Sequence, residues 1–148
     1  MCYDVSMNTQ YYKIMGIDYG DVRIGIAMTD LSRTIASGYE TYVRKSLEQD
    51  LQHLKQLIEN NSVKKVVFGL PLNMDGTPGP RVQATYDFVQ QLQSVIDIEV
   101  DYMDERLTSY EAEKFLISQD VSRKKRKSVI DKLSAVIILQ NYLDQKER

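Results

Sequence analysis

Lys13 to Asp30 reads KIMGIDYGDVRIGIAMTD. Ile14, Met15 and Ile17, then Ile24, Ile26, Ala27 and Met28, make two short apolar runs joined across Gly20-Asp21-Val22-Arg23. This is the pattern of two strands and a tight connection. A carboxylate, Asp18, stands at the end of the first run. A charge at the buried end of a strand is costly to desolvate unless something pairs with it. Asp18 therefore either opens the turn, accepting hydrogen bonds from the backbone after it, or holds a ligand. The hairpin alone does not decide.

Working outward, strands are predicted near 13–19, 23–29 and 35–43, followed by a helix over 46–60 and a strand over 64–70, KKVVFGL. In the first helix Leu47, Leu51, Leu54, Leu57 and Ile58 mark a buried stripe, with His53 off it on the surface. The loop PLNMDGTPGP leads into a second helix near 80–96, with Ala84, Phe88, Val89, Leu92, Val95 and Ile96 at helical spacing. Ile98, Val100 and Tyr102 alternate as a fifth strand. Thr108 and Glu111 form a capping box for a helix to about 118. A last helix spans about 126–143, and its stretch Ala135–Leu139 is apolar all round, which requires burial against the sheet. Three strands joined by short turns predict a meander, and two strands each preceded by a helix predict right-handed parallel crossovers. The expected fold is α/β, a five-stranded mixed sheet flanked by helices.

The 148-residue chain carries 43% apolar and 27% charged residues, ordinary values for one water-soluble domain. Residues 1–12 read as a flexible extension without the basic start or apolar stretch of a secretory signal, and 13–148 as the single domain. No apolar run approaches the ~20 residues of a membrane span. The lone Cys2 cannot form an internal disulfide, in keeping with a cytoplasmic location. One histidine and one cysteine exclude a structural zinc site or a Cys-His nucleophile. Chemistry is left to carboxylates, hydroxyls, basic groups and a bound metal. The net charge is −2, yet Ser122–Lys132 holds six basic residues against one acid. Such a run is either a solvated face or a phosphate-backbone contact.

In a sheet of this topology ligands collect beyond the carboxyl ends of the parallel strands. These ends are Asp18, Gly69-Leu70-Pro71 and Asp104-Glu105-Arg106. The last helix adds Asp131, one turn before its apolar stretch, where the helix dipole alone would favour a negative charge. Acids brought together repel and are reconciled by hard divalent cations. Two Mg²⁺ ions about 3.5–4 Å apart can activate a water and steady the leaving oxygen of a phosphodiester. Such chemistry needs no histidine.

Four blocks, GIDYGDVRIGIA, FGLPLNMDGT, DERLTSYEAE and VIDKLSAVIILQNYL, together resemble the signatures of the YqgF/RuvX family. The resemblance runs from about Lys13 to Leu143. It implies an RNase H-like fold and a metal-dependent nuclease that uses Mg²⁺ or Mn²⁺. The family is related to Holliday-junction resolvases and linked to maturation of the 5′ end of 16S ribosomal RNA. Carried over by position, its acids are Asp18, Glu105 and Asp131, with Asp104 an alternative to Glu105. Junction resolvases of this fold carry a glutamate at the end of strand four, where this chain has Gly69-Leu70-Pro71. Arg23, Arg81, Arg106, Arg123, Lys124, Lys125, Arg126 and Lys127 are candidate contacts to the phosphates of precursor rRNA or branched DNA. The loop with Asn73, Asp75 and Gly76 is either a tight turn or a phosphate cradle. Competing readings are a non-catalytic nucleic-acid-binding domain and half of an actin-like ATPase or sugar kinase. Monomer and homodimer both remain open.

Overall fold

The computed structural model describes residues 11–73, 75–104 and 123–146, with side chains of the last segment described over 133–145. The apolar runs pair as the sequence pattern requires. β1 (Lys13–Tyr19), β2 (Arg23–Thr29) and β3 (Ala36–Val43) form an antiparallel meander, followed by α1 (Leu47–Asn60) and β4 (Val63–Leu70). Then come α2 (Val82–Val95), β5 (Glu99–Asp104) and α3 (Arg123–Lys146). The strand order is β3-β2-β1-β4-β5, with β4 parallel to both β1 and β5. The helix expected over 108–118 and residues Glu105 and Arg106 lie outside the described residues, as do residues 1–10 of the extension expected over 1–12. Among the described residues no helix is long and apolar enough to cross a membrane.

Each sheet face buries its own cluster. Met15, Ile17, Ile24, Ile26, Val66 and Phe68 pack under α1 and α2 with Leu51, Leu54, Phe88 and Leu92. Ile14, Ala27 and Val67, on the opposite face, pack against Ala135, Ile138, Leu139 and Tyr142 of α3. Burying one such aliphatic or aromatic side chain contributes about 1.5–3 kcal/mol, so both faces are needed. Tyr12, just before β1, also packs against the α3-side cluster, beneath the Arg33 guanidinium.

Helix starts and stripes differ from expectation in instructive ways. Ser46 caps α1 by accepting from the Gln49 amide at 3.2 Å, which leaves Leu47 in the first turn exposed and opens the inward stripe at Asp50. In α2 Thr85 takes the inward position rather than Ala84, its hydroxyl donating to the Arg81 carbonyl at 3.1 Å. α3 begins at Arg123, three residues early, because Arg and Lys are good helix formers and no glycine or proline interrupts 123–131.

The fit of α3 to β1 depends on Gly16. A Cβ there would stand 2.8 Å from Leu139 Cβ and 3.1 Å from the Ala135 carbonyl oxygen. At the other end of the contact the buried Tyr142 hydroxyl donates to Asp101 Oδ2 at 2.8 Å and accepts from Lys65 Nζ at 3.0 Å. The helix is thus pinned to β4 and β5 and laid closely on β1. Gly16→Ala should destabilise the protein by about 1–3 kcal/mol through overpacking. Urea denaturation with a lowered midpoint and an unchanged slope is the expected result.

Candidate functional site

β1, β4 and β5 run parallel and finish along one edge of the sheet, where the side chains sort by alternation. Met15, Ile17 and Tyr19 point to the α1–α2 face, so Ile14, Gly16 and Asp18 belong to the α3 face. Asp18 is half-buried and stands opposite Gly25, which stands opposite Thr41. This row across three strands therefore offers a carboxylate, a bare glycine and a hydroxyl on one face. Thr41 Oγ1 and Ser134 Oγ of α3 are both buried with no hydrogen-bond partner among the described residues.

α3 crosses this face antiparallel to β1. Tyr142 meets Lys65, the register partner of Ile14, while Leu139 and Ala135 lie on Gly16. One further turn toward the helix N-terminus, about 5–6 Å, reaches position 131. One further inward residue of β1, about 6.6 Å, reaches Asp18. The backbone thus brings positions 18 and 131 to the same end of the same face.

Asp104 goes the other way. Val100 and Tyr102 pack with the α1–α2 cluster, whereas Asp101 receives the Tyr142 hydroxyl and Met103 packs with the α3-side cluster. Asp104, exposed at the end of β5, therefore alternates to the face away from Asp18. Among the described residues no group of three histidine, cysteine or acidic side chains gathers in metal-binding array. Glu105 and the side chain of Asp131 fall outside those residues.

The donor chemistry at Asp18 fits a hydrated hard cation. Carboxylate oxygens suit Mg²⁺ or Mn²⁺. The only histidine is remote: His53 is half-buried, its ring stacked on Tyr42 at 4.1 Å and its Nε2 2.7 Å from Glu40 Oε1.

The opposite face grips the strand end. Arg81 donates from Nη2 to the Tyr19 carbonyl at 3.1 Å and pairs with Asp21. Arg44 donates from Nη1 to the Gly20 carbonyl at 3.1 Å and from Nε to Asp50 Oδ2 at 2.9 Å, with its guanidinium 4.7 Å over the Tyr19 ring. Burial alone would raise the Asp50 carboxyl; the Lys45 amide, Arg44 and the Tyr42 hydroxyl outweigh it and hold the carboxyl below its ordinary value. Burial first, then Asp50, pushes the Tyr42 phenol up to about 12. A lowered carboxylate stabilises the fold above the unfolded value of about 3.9 and loses that effect as pH falls through the folded one. Sequence reading missed Arg44 and Asp50. The available signal was an acid at an inward position of the α1 stripe.

Arg23 opens β2 opposite Val43, half-buried. The loop after β4 is closed by its own bonds. Asn73 Nδ2 donates to Thr77 Oγ1 at 3.0 Å, and Asp75 Oδ1 accepts from the Thr77 amide at 3.0 Å. A side chain at Gly79 would collide with the Pro71 carbonyl. These bonds favour the tight-turn reading. Arg123–Lys127 occupy the first turns of α3, ahead of position 131.

Residues 12–145 match the family model described as RuvX, Holliday junction resolvase. A Halothermothrix orenii protein, described as a candidate pre-16S rRNA nuclease, is 50% identical over 136 residues, 92% of this chain and 97% of that one. The fowlpox virus resolvase, solved with Holliday junction DNA, superposes with a TM-score of 0.58 at 10% identity, covering 92% of this chain and 99% of that one. Thermus thermophilus RuvC, solved with a Holliday junction substrate, gives 0.56 at 10% identity, covering 91% and 96%. At such low identity these structures speak for the fold alone, and it is the RNase H-like fold. With a family model matched along nearly its whole length and a relative sharing half its residues, the chain belongs to the RuvX family.

Proposed function

We propose that this protein is a divalent-metal-dependent nuclease that hydrolyses phosphodiester bonds in structured nucleic acid, with the precursor of 16S rRNA as its preferred substrate. The observation that carries this reading is the course of α3, laid on Gly16 through Leu139 and Ala135 and running its N-terminal turns toward the Asp18 end of the same face. The preference for rRNA rests on the description of the H. orenii relative, and on a β4 that ends in Gly69-Leu70, followed by Pro71, without a carboxylate.

Asp18, Glu105 and Asp131 are the groups that would hold Mg²⁺ or Mn²⁺. Bound there, the metal would lower the pKa of an attacking water and offset charge on the leaving oxygen. The Asp18 backbone is held in the β1–β2 ladder opposite Gly25, which limits the reorganisation needed to present its carboxylate. Glu105 is preferred to Asp104 because alternation along β5 turns Asp104 away from Asp18. The basic turns of α3 lead the phosphate backbone toward position 131, and Arg23 lies on the strand next to Asp18.

The test is a Mn²⁺-dependent cleavage assay on a precursor RNA spanning the 16S 5′ end, run beside a four-way DNA junction. Cleavage of the RNA in preference to the junction is expected; the reverse would transfer the substrate to branched DNA. Asp18→Asn should lose at least about a hundredfold in rate, since a metal site supplies several kcal/mol of barrier lowering. Its melting temperature should hold or rise as acid repulsion is relieved. Glu105→Gln should behave alike and Asp104→Asn should cost far less; the opposite ranking would exchange their roles.

Binding supplies a separate check. Each phosphate contact contributes a slope of about −0.9 to log affinity against log salt on duplex, and about −0.7 on single strands. Neutralising three of Arg123, Lys124, Lys125, Arg126 and Lys127 should flatten the plot by roughly two to three units without altering sequence preference. An unchanged slope would return the run to a solvated helix face.

A further inference from the structure

We propose that Arg44, braced by the buried Asp50, is a positioning residue that sets Asp18 in place for metal. The inference rests on the nuclease reading and assigns a role to a pair on the opposite face of the sheet from the site.

The two peptide carbonyls that directly follow Asp18 are each held by a guanidinium. Arg81 takes the Tyr19 carbonyl and Arg44 the Gly20 carbonyl, both at 3.1 Å. Arg44 also donates its backbone amide to the Val22 carbonyl at 2.9 Å. Its planar group covers the Tyr19 ring, whose centroid lies 4.5 Å from that of Phe88. Arg44 thus touches the strand end, the turn and the ring between them, on the face opposite Asp18. The Gly20 amide donates to the Arg23 carbonyl at 3.0 Å and closes the turn.

Asp50 is what makes Arg44 rigid. Its side chain is 1% exposed; one oxygen accepts from Arg44 Nε and the other from the Lys45 amide at 3.0 Å. A buried ion pair of this kind adds little stability over a well-packed apolar pair of the same volume. An apolar pair, however, could not reach the Gly20 carbonyl. What the pair contributes is placement: a fixed fork at the first residues after the candidate ligand, where small displacements of a metal-binding oxygen matter most. Lysine is no substitute, having a single point charge in place of a planar fork that bonds two acceptors and stacks.

The test is Mn²⁺ binding, measured by titration calorimetry together with thermal unfolding, on the full chain and two variants. Arg44→Lys should weaken Mn²⁺ about 10–100-fold, the effect of losing a group that orients a ligand. Tyr142→Phe breaks the equally buried network at the far end of α3; it should lower the melting temperature and leave Mn²⁺ affinity unchanged. If Arg44→Lys does not fold, the double variant Arg44→Leu/Asp50→Leu, which leaves no buried charge unpaired, takes its place with the same expected loss. Unchanged Mn²⁺ affinity in the Arg44 variant, or equal weakening by Tyr142→Phe, would overturn the positioning role alone. A wild-type chain whose Mn²⁺ heat is absent, or is unaltered by Asp18→Asn, would overturn the nuclease reading and this inference with it.

Discussion

A missing side chain at Gly16 governs how closely α3 can lie on β1. With hydrogen in place of a methyl, Leu139 and Ala135 seat directly on the central strand, and the helix comes down at the same level as the sheet's own alternation. The α3-side cluster closes because of that contact. So does the approach of position 131 to Asp18, since both follow from sliding one step along two elements in register. A looser helix would still cover apolar surface, because hydrophobic burial has no direction. It would not hold two polar positions in a fixed relation, which requires close packing with little freedom to adjust.

The strand end is organised by opposite charges on opposite faces. On the α3 face stands a carboxylate in a row with a glycine and a buried hydroxyl. Beneath it, two guanidinium groups hold consecutive carbonyls, and one is fixed by a carboxylate withdrawn from water. Each guanidinium is itself paired with a carboxylate, Arg44 with Asp50 and Arg81 with Asp21, so what they contribute at the strand end is placement rather than net charge.

Much of this was legible in the chain. The GIDYGDVRIGIA hairpin, the two crossovers and the fifth strand follow from period-two runs separated by helical ones, and all five strands lie where that pattern put them. Asp18 was visible because a charge at the end of an apolar run is out of place. Asp104 and Glu105 stayed alternatives in the sequence because the face of a strand-end residue depends on its packing partners; those partners put Asp104 on the α1–α2 face, while Glu105 lies outside the described residues. The Arg44–Asp50 pair escaped because its meaning is entirely tertiary: Asp50 interrupts an apolar stripe, and its partner lies on the strand side of a short loop. Thr85 displaced Ala84 from the core because a hydroxyl returned to the carbonyl of the preceding turn counts as nearly apolar, which hydropathy does not record.

The strand order has a consequence for how the chain finds its structure. β1, β2 and β3 pair with their sequence neighbours, and hairpins of this kind close early and fast, within about 1–10 μs. The bond from the Ala36 amide to Gln140 Oε1 spans 104 residues, and every contact of α3 with the meander closes a similarly long loop. The entropy of such closure is met only after the local pairs exist. Asp18 is therefore placed on its strand well before the helix bearing Asp131 can arrive. Until that final docking step the α3 face of the meander, with Ile14 and Ala27, stays an open apolar surface, the kind of surface through which partly folded chains associate.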